Sequence, residues 1–492
     1  MHPIVQLDRR YVWHPFTQMA DWVKREPIVI ESGQGAVLRD VKGRSYLDAN
    51  SSIWTNLHGH NHPRINRAIQ RQLGKIAHSS ALGFANVPAS LLAAKLVREA
   101  RPLRALAGGG AGKLAQLNKV FFSDDGSTAM EVALKLAHEY SRRVGGIRRP
   151  RFLSLQGAYH GDTIGAVSLG HVDLFHKAYQ PLLFPVDSVM APYCYRCPFN
   201  RAKPERADAR EYRKCRWECV DQVAQKLEAA KKKRQPYAGF VVEPLMQGAA
   251  GMIPQPIGWL ARVAELAKAC GTPLIADEVM TGFGRTGFRP PMSGRTRAFG
   301  GLFACQLEGV TPDYLAVAKG LTGGYLPMAA TLTTPAVYEA FLGRYEEFRT
   351  FFHGHSFTGN QLGAAAALEN LALLRSEASR SARWRLQQAL AAELGTLWDL
   401  PEVGDIRQVG LVAGIELVRN FRTREPFHLR ERRGIRVCDA LAAQGVLTRP
   451  IGNVIVLLPP YCTSIPQLKK IVRTLAAAIQ ETHTLSKKPL RS

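Results

Sequence analysis

Long apolar runs are missing from this 492-residue chain. No segment strings together the roughly 18 hydrophobic residues that a membrane-spanning helix requires. The first residues mix Asp8, Arg9, Arg10 and His14 with aromatics, so the apolar stretch of an export signal is also lacking. Cysteine is scarce, with eight residues, too few for a disulfide scaffold in a chain of this length. Acidic residues are short as well: 40 Asp and Glu face 65 Lys and Arg, leaving a net charge of +25. Such an excess draws anions and adsorbs nucleic acid without sequence preference. The basic residues are nevertheless scattered, and no aromatic-interleaved ribbon or recognition helix accompanies them. The expectation is a soluble, cytoplasmic protein with reduced thiols and no membrane or specific nucleic-acid partner.

What is present has a globular balance: 46% hydrophobic and 21% charged residues, with 43 Gly and 29 Pro. Residues 1–60 read as an arm of short strands (28–31 and 36–40) and turns at Gly33, Gly35 and Gly43. Over 61–335, helix-period stretches alternate with short β-rich runs, the pattern of βαβ units around a mostly parallel sheet. The clearest unit is a strand at 239–242, a helix over 258–270 that stops at Gly271 and Pro273, and a strand at 274–276. Residues 336–492 open with an Ala/Leu helix over 359–374 and continue as an α+β pattern. Segments 103–117 and 288–304, rich in Gly, Pro or Arg, read as inserted loops.

Four polar features fall at strand ends, where ligands bind in open α/β sheets. The strand 120–122 runs into Asp124-Asp125-Gly126-Ser127-Thr128 and a helix, so Gly126 and Ser127 offer N–H groups and a hydroxyl to a phosphate. A simple helix cap explains the same residues. The strand 274–276 ends in Asp277-Glu278-Val279, where a buried carboxylate needs a partner such as a protonated ring nitrogen, or an arginine such as Arg285. The strand 314–318 places Lys319 before Gly320-Leu321-Thr322-Gly323-Gly324, a setting for a desolvated amine able to form a Schiff base, although a surface lysine fits too. Finally, Tyr159, His160 and Asp162 follow the strand 152–155, as an aromatic plate or as an ordinary turn. Anchor, ring-nitrogen partner, amine and stacking surface are together what pyridoxal 5′-phosphate requires. Asp162, Glu243, Gln247 and Arg285 are secondary candidates, with Glu243 able to pair with Arg285.

Over nearly its whole length the chain resembles the class III (ω-type) pyridoxal-phosphate aminotransferases. The resemblance rests on Asp277-Glu278-Val279, the Thr281-to-Gly287 turn and the Lys319-to-Gly324 segment, in that order. It implies the fold type I transferase architecture: a large domain with a mostly parallel central sheet, plus a small α+β domain from the N- and C-terminal segments. It also implies that Lys319 binds the cofactor covalently, Asp277 keeps the pyridine nitrogen protonated, Gly126 and Ser127 bind phosphate, and Tyr159 stacks on the ring. Trp13 to Met19, together with Ser51 to Trp54 and His58-Gly59-His60, are similar to the 7,8-diaminononanoate synthases of biotin biosynthesis, which aminate 8-amino-7-oxononanoate. By that likeness Arg449 receives the substrate carboxylate, and Trp54 and Tyr159 line the substrate site. Gly354, His355 and Ser356 form a loop crossing a homodimer interface toward the other subunit's cofactor phosphate. Members using S-adenosylmethionine usually carry Tyr at Phe16, a Trp pair at Ile53-Trp54 and Pro-Thr at His355-Ser356, so the amine donor is lysine or S-adenosylmethionine, with the departures favouring lysine.

Three further readings stay open. Cys194, Cys197, Cys215 and Cys219 have spacing that could close a four-thiolate zinc site, or are four reduced thiols that catalysis does not need. The enzyme could act instead on an ω-amino acid such as 4-aminobutyrate or ornithine. A non-enzyme reading takes the chain as a basic nucleic-acid or metal-binding protein.

Overall fold

The structure, a computed structural model, describes residues 2–103, 116–170, 172–289 and 300–486. The middle of each expected inserted loop lies outside them. At the centre is a seven-stranded sheet in the order 119–123, 329–333, 314–317, 274–277, 239–242, 152–155, 187–189. All strands but one share a direction; 329–333 runs antiparallel to both neighbours. Strands 152–155, 239–242, 274–277 and 314–317 are buried at every position, which is why they appear in sequence as short unbroken apolar runs. Because the strands share a direction, the loops after 123, 155, 242, 277 and 317 all emerge at one edge of the sheet. The reversed strand begins at that edge, Ala329 pairing with Ser123.

Helix Gly126–Arg143 lies on this sheet, with Ala129, Met130, Ala133 and Ala137 fully buried. Helix Trp259–Ala269 seals the other connection with Trp259, Leu260, Val263 and Ala267.

The N-terminal strands 30–34, 37–40 and 45–48 form an antiparallel ribbon that is completed by Val446–Leu447, parallel to 45–48. Both chain ends thus share one sheet. A second sheet joins 403–409, 412–420, 454–457 and 450–451, with 425–426 on the long strand, and helices Arg433–Ala443 and Ile465–Ser486 pack together beside it. The arm differs from its strand-and-turn reading in opening with a helix, Pro3–Tyr11, started by Pro3 and a His2 cap. Helix Glu377–Gly395 was not legible either, because its buried stripe of Leu386, Leu390 and Leu394 starts at an arginine, Arg383.

Candidate active site

A cavity of about 480 Å³ opens at the carboxyl edge of the central sheet. Asp124 to Ser127, Tyr159 to Gly161, Glu243, Asp277 and Lys319 line it, together with Trp54 and Tyr325 to Met328. Each polar group arrives from a different strand end, so residues nearly 200 positions apart share one space.

The phosphate-type corner is built by capping. The Asp125 carboxylate accepts the Thr128 N–H at 2.9 Å, and the Thr128 hydroxyl accepts the N–H of Asp125 at 2.9 Å and of Asp124 at 3.2 Å. This box consumes the neighbouring donors and leaves the N–H groups of Gly126 and Ser127 without a partner among the described residues at the helix start, where the helix dipole favours an anion. Ser127 Oγ accepts the Asp162 N–H at 3.2 Å. Gly161, at φ +119°, must be glycine: a Cβ there would lie 2.1 Å from Ser127 Oγ.

Lys319 has φ +36° on the one-turn helix that follows its strand. Its amine makes no ion pair or hydrogen bond with the described residues, and lies 5.6 Å from the centroid of the Trp54 ring. Burial lowers its proton affinity, and the charges of Asp277 and Glu243 offset this only in part. Trp54 is itself held in an unusual conformation: Ser51, Ser52 and Trp54 have φ of +49°, +61° and +67°. Its indole N–H donates to Asn50 Oδ1 at 3.0 Å, which fixes the ring over the amine.

Asp277 is buried, with Oδ1 accepting the Val279 N–H at 3.0 Å and Oδ2 bonded to His160 Nδ1 at 2.7 Å. Glu243, one strand over, accepts the N–H of Tyr159 at 3.1 Å and of Gly248 at 2.8 Å, and burial pushes it up to about 7. Tyr159 donates its hydroxyl to Asp162 at 2.7 Å, and the back of its ring stacks on His176 at 6.0 Å with planes 12° apart.

These residues fit a phosphorylated heteroaromatic aldehyde. Two N–H groups and an amine of lowered proton affinity, without hydrogen-bond partners among the described residues, line the same space, and a buried carboxylate stands one strand from that amine.

Residues 18–479 match the family described as aminotransferase class-III. The chain belongs to the class III aminotransferases. It is 45% identical over 479 residues, 97% of either chain, to the adenosylmethionine-8-amino-7-oxononanoate aminotransferase of Geobacter sulfurreducens. Against the enzyme of that name from Methanocaldococcus jannaschii it is 40% identical, covering 96% of this chain and 97% of that one. The crystal structure of the Methanocaldococcus jannaschii enzyme superposes with a TM-score of 0.85 at 38% identity, over 97% and 98% of the two chains. An amine transaminase from an uncultivated Pseudomonas species, solved in its PLP-bound (internal aldimine) form, gives 0.82 at 30% identity over 96% and 98%.

Not every candidate residue of this class III aminotransferase reaches the cavity. Arg449 is exposed and lines a second cavity of about 500 Å³ with Phe16, Trp22, Arg25 and Arg432. Gly354 and Ser356 are exposed and His355 half-buried, on a loop where the Ser356 carbonyl is bonded to His78 Nε2 at 2.9 Å. Gln247 is fully buried and reaches only the Gln156 carbonyl, at 3.2 Å.

Two expectations are corrected. Arg285 pairs with neither Glu243, Asp277 nor Glu278: fully buried, it donates to the carbonyls of Pro459 and Asn56, both at 3.0 Å, and so ties the Gly-rich turn to both chain ends. Glu278 turns away from the cavity and accepts the N–H groups of Ala304 and Cys305 at 2.5 and 2.8 Å. As for the metal candidate, no three His, Cys, Asp or Glu side chains among the described residues are arranged to hold an ion. Cys215 accepts from Arg213 Nη1 at 3.1 Å, and Cys194 lies 3.9 Å from the Pro192 carbonyl. Arginine contacts organise that excursion instead. Arg196 donates to Glu416 at 2.7 Å, Arg210 to the Gln408 carbonyl at 2.7 Å, and Arg206 to those of Leu400 and Val403 at 3.1 and 2.6 Å.

The residue that sequence reasoning left without a role is His160. It was visible as one of two polar groups beside Tyr159, but its partner is 117 residues away.

Proposed function

We propose that the enzyme binds pyridoxal 5′-phosphate in the strand-end cavity and transfers an amino group to the ketone of 8-amino-7-oxononanoate, giving 7,8-diaminononanoate. The observation that carries this is the Lys319 amine, without a partner among the described residues, sharing one cavity with Asp277, Gly126 and Ser127. When bound, the cofactor supplies an aldehyde that takes up the amino group and a ring that withdraws electrons from the donor carbon. Gly126 and Ser127 hold its phosphate, Tyr159 covers one ring face, and Asp277 keeps a proton on the ring nitrogen. The amine of Lys319 is nucleophilic because burial favours its neutral form. With the cofactor bound, Lys319 Nζ would take the proton from the donor carbon and give it back on the cofactor side, so that no net proton stays on the lysine. Arg449, exposed in the second cavity beside Phe16, has the bidentate fork suited to the substrate carboxylate, and Trp54 lines the strand-end cavity.

The reading includes a homodimer. Leu82 and Phe84 are 88% and 74% exposed, and Phe352 and Phe357 are exposed as well, large apolar side chains of the kind that an interface covers. The ring of Phe357 lies 4.9 Å from that of His78, which places the two exposed segments side by side. On the same loop as Phe357, Gly354 and Ser356 are exposed and His355 is half-buried, as residues that complete another subunit's phosphate site would be before association.

For the donor, the residues favour lysine. Phe16 offers no hydroxyl and packs edge-on against Phe175 at 5.3 Å, and Ile53 offers no indole, so a sulfonium loses both a hydrogen bond and an aromatic wall. The second reading is S-adenosylmethionine, the donor in the names of the relatives. A panel of amine donors with 8-amino-7-oxononanoate as acceptor decides. Turnover with lysine alone supports the first reading and turnover with S-adenosylmethionine alone the second. Activity only on 4-aminobutyrate or ornithine overturns both.

A further inference from the structure

We infer that His160 is a positioning residue: through its Nδ1–H it holds the Asp277 carboxylate oriented toward the cofactor ring nitrogen. The inference rests on the assignment of Asp277 to that nitrogen made above.

The ring of His160 is inaccessible to solvent, and its Nδ1 lies 2.7 Å from Asp277 Oδ2. An ionised carboxylate only accepts, so the shared proton must sit on Nδ1, and the tautomer is set by Asp277. The other ring nitrogen, Nε2, is buried without a hydrogen-bond partner among the described residues. The hydrogen bonding of this imidazole is therefore directed at one carboxylate. The seat for the ring is made by a glycine: a Cβ on Gly170 would lie 2.9 Å from His160 Cδ2 and 2.7 Å from the Ala158 carbonyl.

The site needs such a donor. Asp277 is 5% exposed and Glu243, equally buried, projects from the adjacent strand, so two carboxylates share a dry space and the one that faces the ring nitrogen must be held in place. The Val279 N–H supplies one hydrogen bond to the anion and His160 the other, and only the His160 bond is open to change by side-chain substitution. Burial alone would strip His160 of a proton, yet the hydrogen bond to Asp277 and the charges of Asp277 and Glu243 raise its affinity overall, so it backs the carboxylate as a donor.

The test compares holoenzyme of wild type, His160→Phe and His160→Asn, each loaded with pyridoxal phosphate labelled at the ring nitrogen with a magnetic isotope. Phenylalanine keeps the ring volume and removes the donor, whereas the asparagine amide places a donor where Nδ1 was. The expected result is a ring-nitrogen resonance that moves toward unprotonated pyridine in His160→Phe, with kcat down by about tenfold or more and KM little changed. His160→Asn recovers the wild-type resonance and most of kcat. Wild-type resonance and kcat in His160→Phe overturn the inference, as does a folded His160→Asn that behaves like His160→Phe. If neither variant folds, the labelled His160 resonance of wild-type protein decides, since it must move when pyridoxal phosphate is added and a fixed signal overturns the inference. Failure of the wild type to bind pyridoxal phosphate, or an unprotonated ring nitrogen in wild type, would instead remove the assignment of Asp277 beneath it.

Discussion

Lys319 and Trp54 show how single residues are set for chemistry before any substrate arrives. Both have positive φ, a conformation that costs about 1–3 kcal/mol in a non-glycine residue and persists only where surrounding contacts impose it. Lys319→Ala should abolish turnover, and borohydride treatment of cofactor-loaded protein should then leave no modified peptide around position 319. A modified peptide elsewhere, with activity kept, would place the reactive amine on another residue. A second single-residue effect concerns acid stability. His58 is buried against Asn370 Oδ1 at 2.8 Å, and burial lowers it to about 3. The unfolded chain takes up this proton near 6.5 and the folded chain only near 3, so stability falls as pH drops through that window, by about 1.4 kcal/mol per unit. Glu243 and Glu278, both pushed up to about 7, act with the opposite sign because the folded chain binds their protons first. Urea unfolding of wild type and His58→Gln between pH 4.5 and 7.5 separates the two. The difference between the proteins should shrink with falling pH at the slope of one proton, and a pH-independent difference would contradict a neutral His58.

At the scale of elements, the arginine-rich excursion over 193–213 is the segment whose role changed most between sequence and structure. It docks on the strands 403–409 and 412–420 through Glu416, which accepts from Arg407 at 2.7 Å, from Arg196 and from Tyr193. Arg407 also holds Asp405 at 2.8 Å and the Gly251 carbonyl at 3.0 Å, so one buried network joins excursion, small sheet and large domain. Glu416→Ala leaves the Arg196 guanidinium without its anion and Arg407 with Asp405 alone, and should destabilise the protein by about 3–5 kcal/mol, read as a lowered urea midpoint. A shift of under about 1 kcal/mol would mean that the network relaxes onto other acceptors. The spacing of the four cysteines had suggested a metal staple for this segment. Spacing along a chain restricts which ligands can meet, but the direction of each thiol depends on how the loop docks, and here arginine contacts decide the docking.

For the whole molecule, the exposed patch around Leu82, Phe84, Phe352 and Phe357 carries the expectation of a dimer. Paired substitutions Leu82→Asp and Phe84→Asp place two charges on that patch and should yield a monomer by sedimentation, with unchanged folding and activity reduced by at least about tenfold. A fully active monomer would show that one chain completes its own site.

Local chemistry made a great deal readable from sequence alone. Buried strands at 239–242, 274–277 and 314–317 show as apolar runs because both their faces are covered, and the residues that follow them must lie at one sheet edge if the strands are parallel. Asp277, Lys319, Gly126 and Ser127 could therefore be singled out without coordinates. Only the tertiary structure decided which partner each group took. The bond from His160 to Asp277, the use of Arg285 on backbone carbonyls of both chain ends, the turning of Glu278 away from the cavity and the pairing of 446–447 with the N-terminal ribbon all join distant positions. Periodicity and capping act over a few residues, whereas these pairings follow from where whole elements pack, which no local pattern encodes.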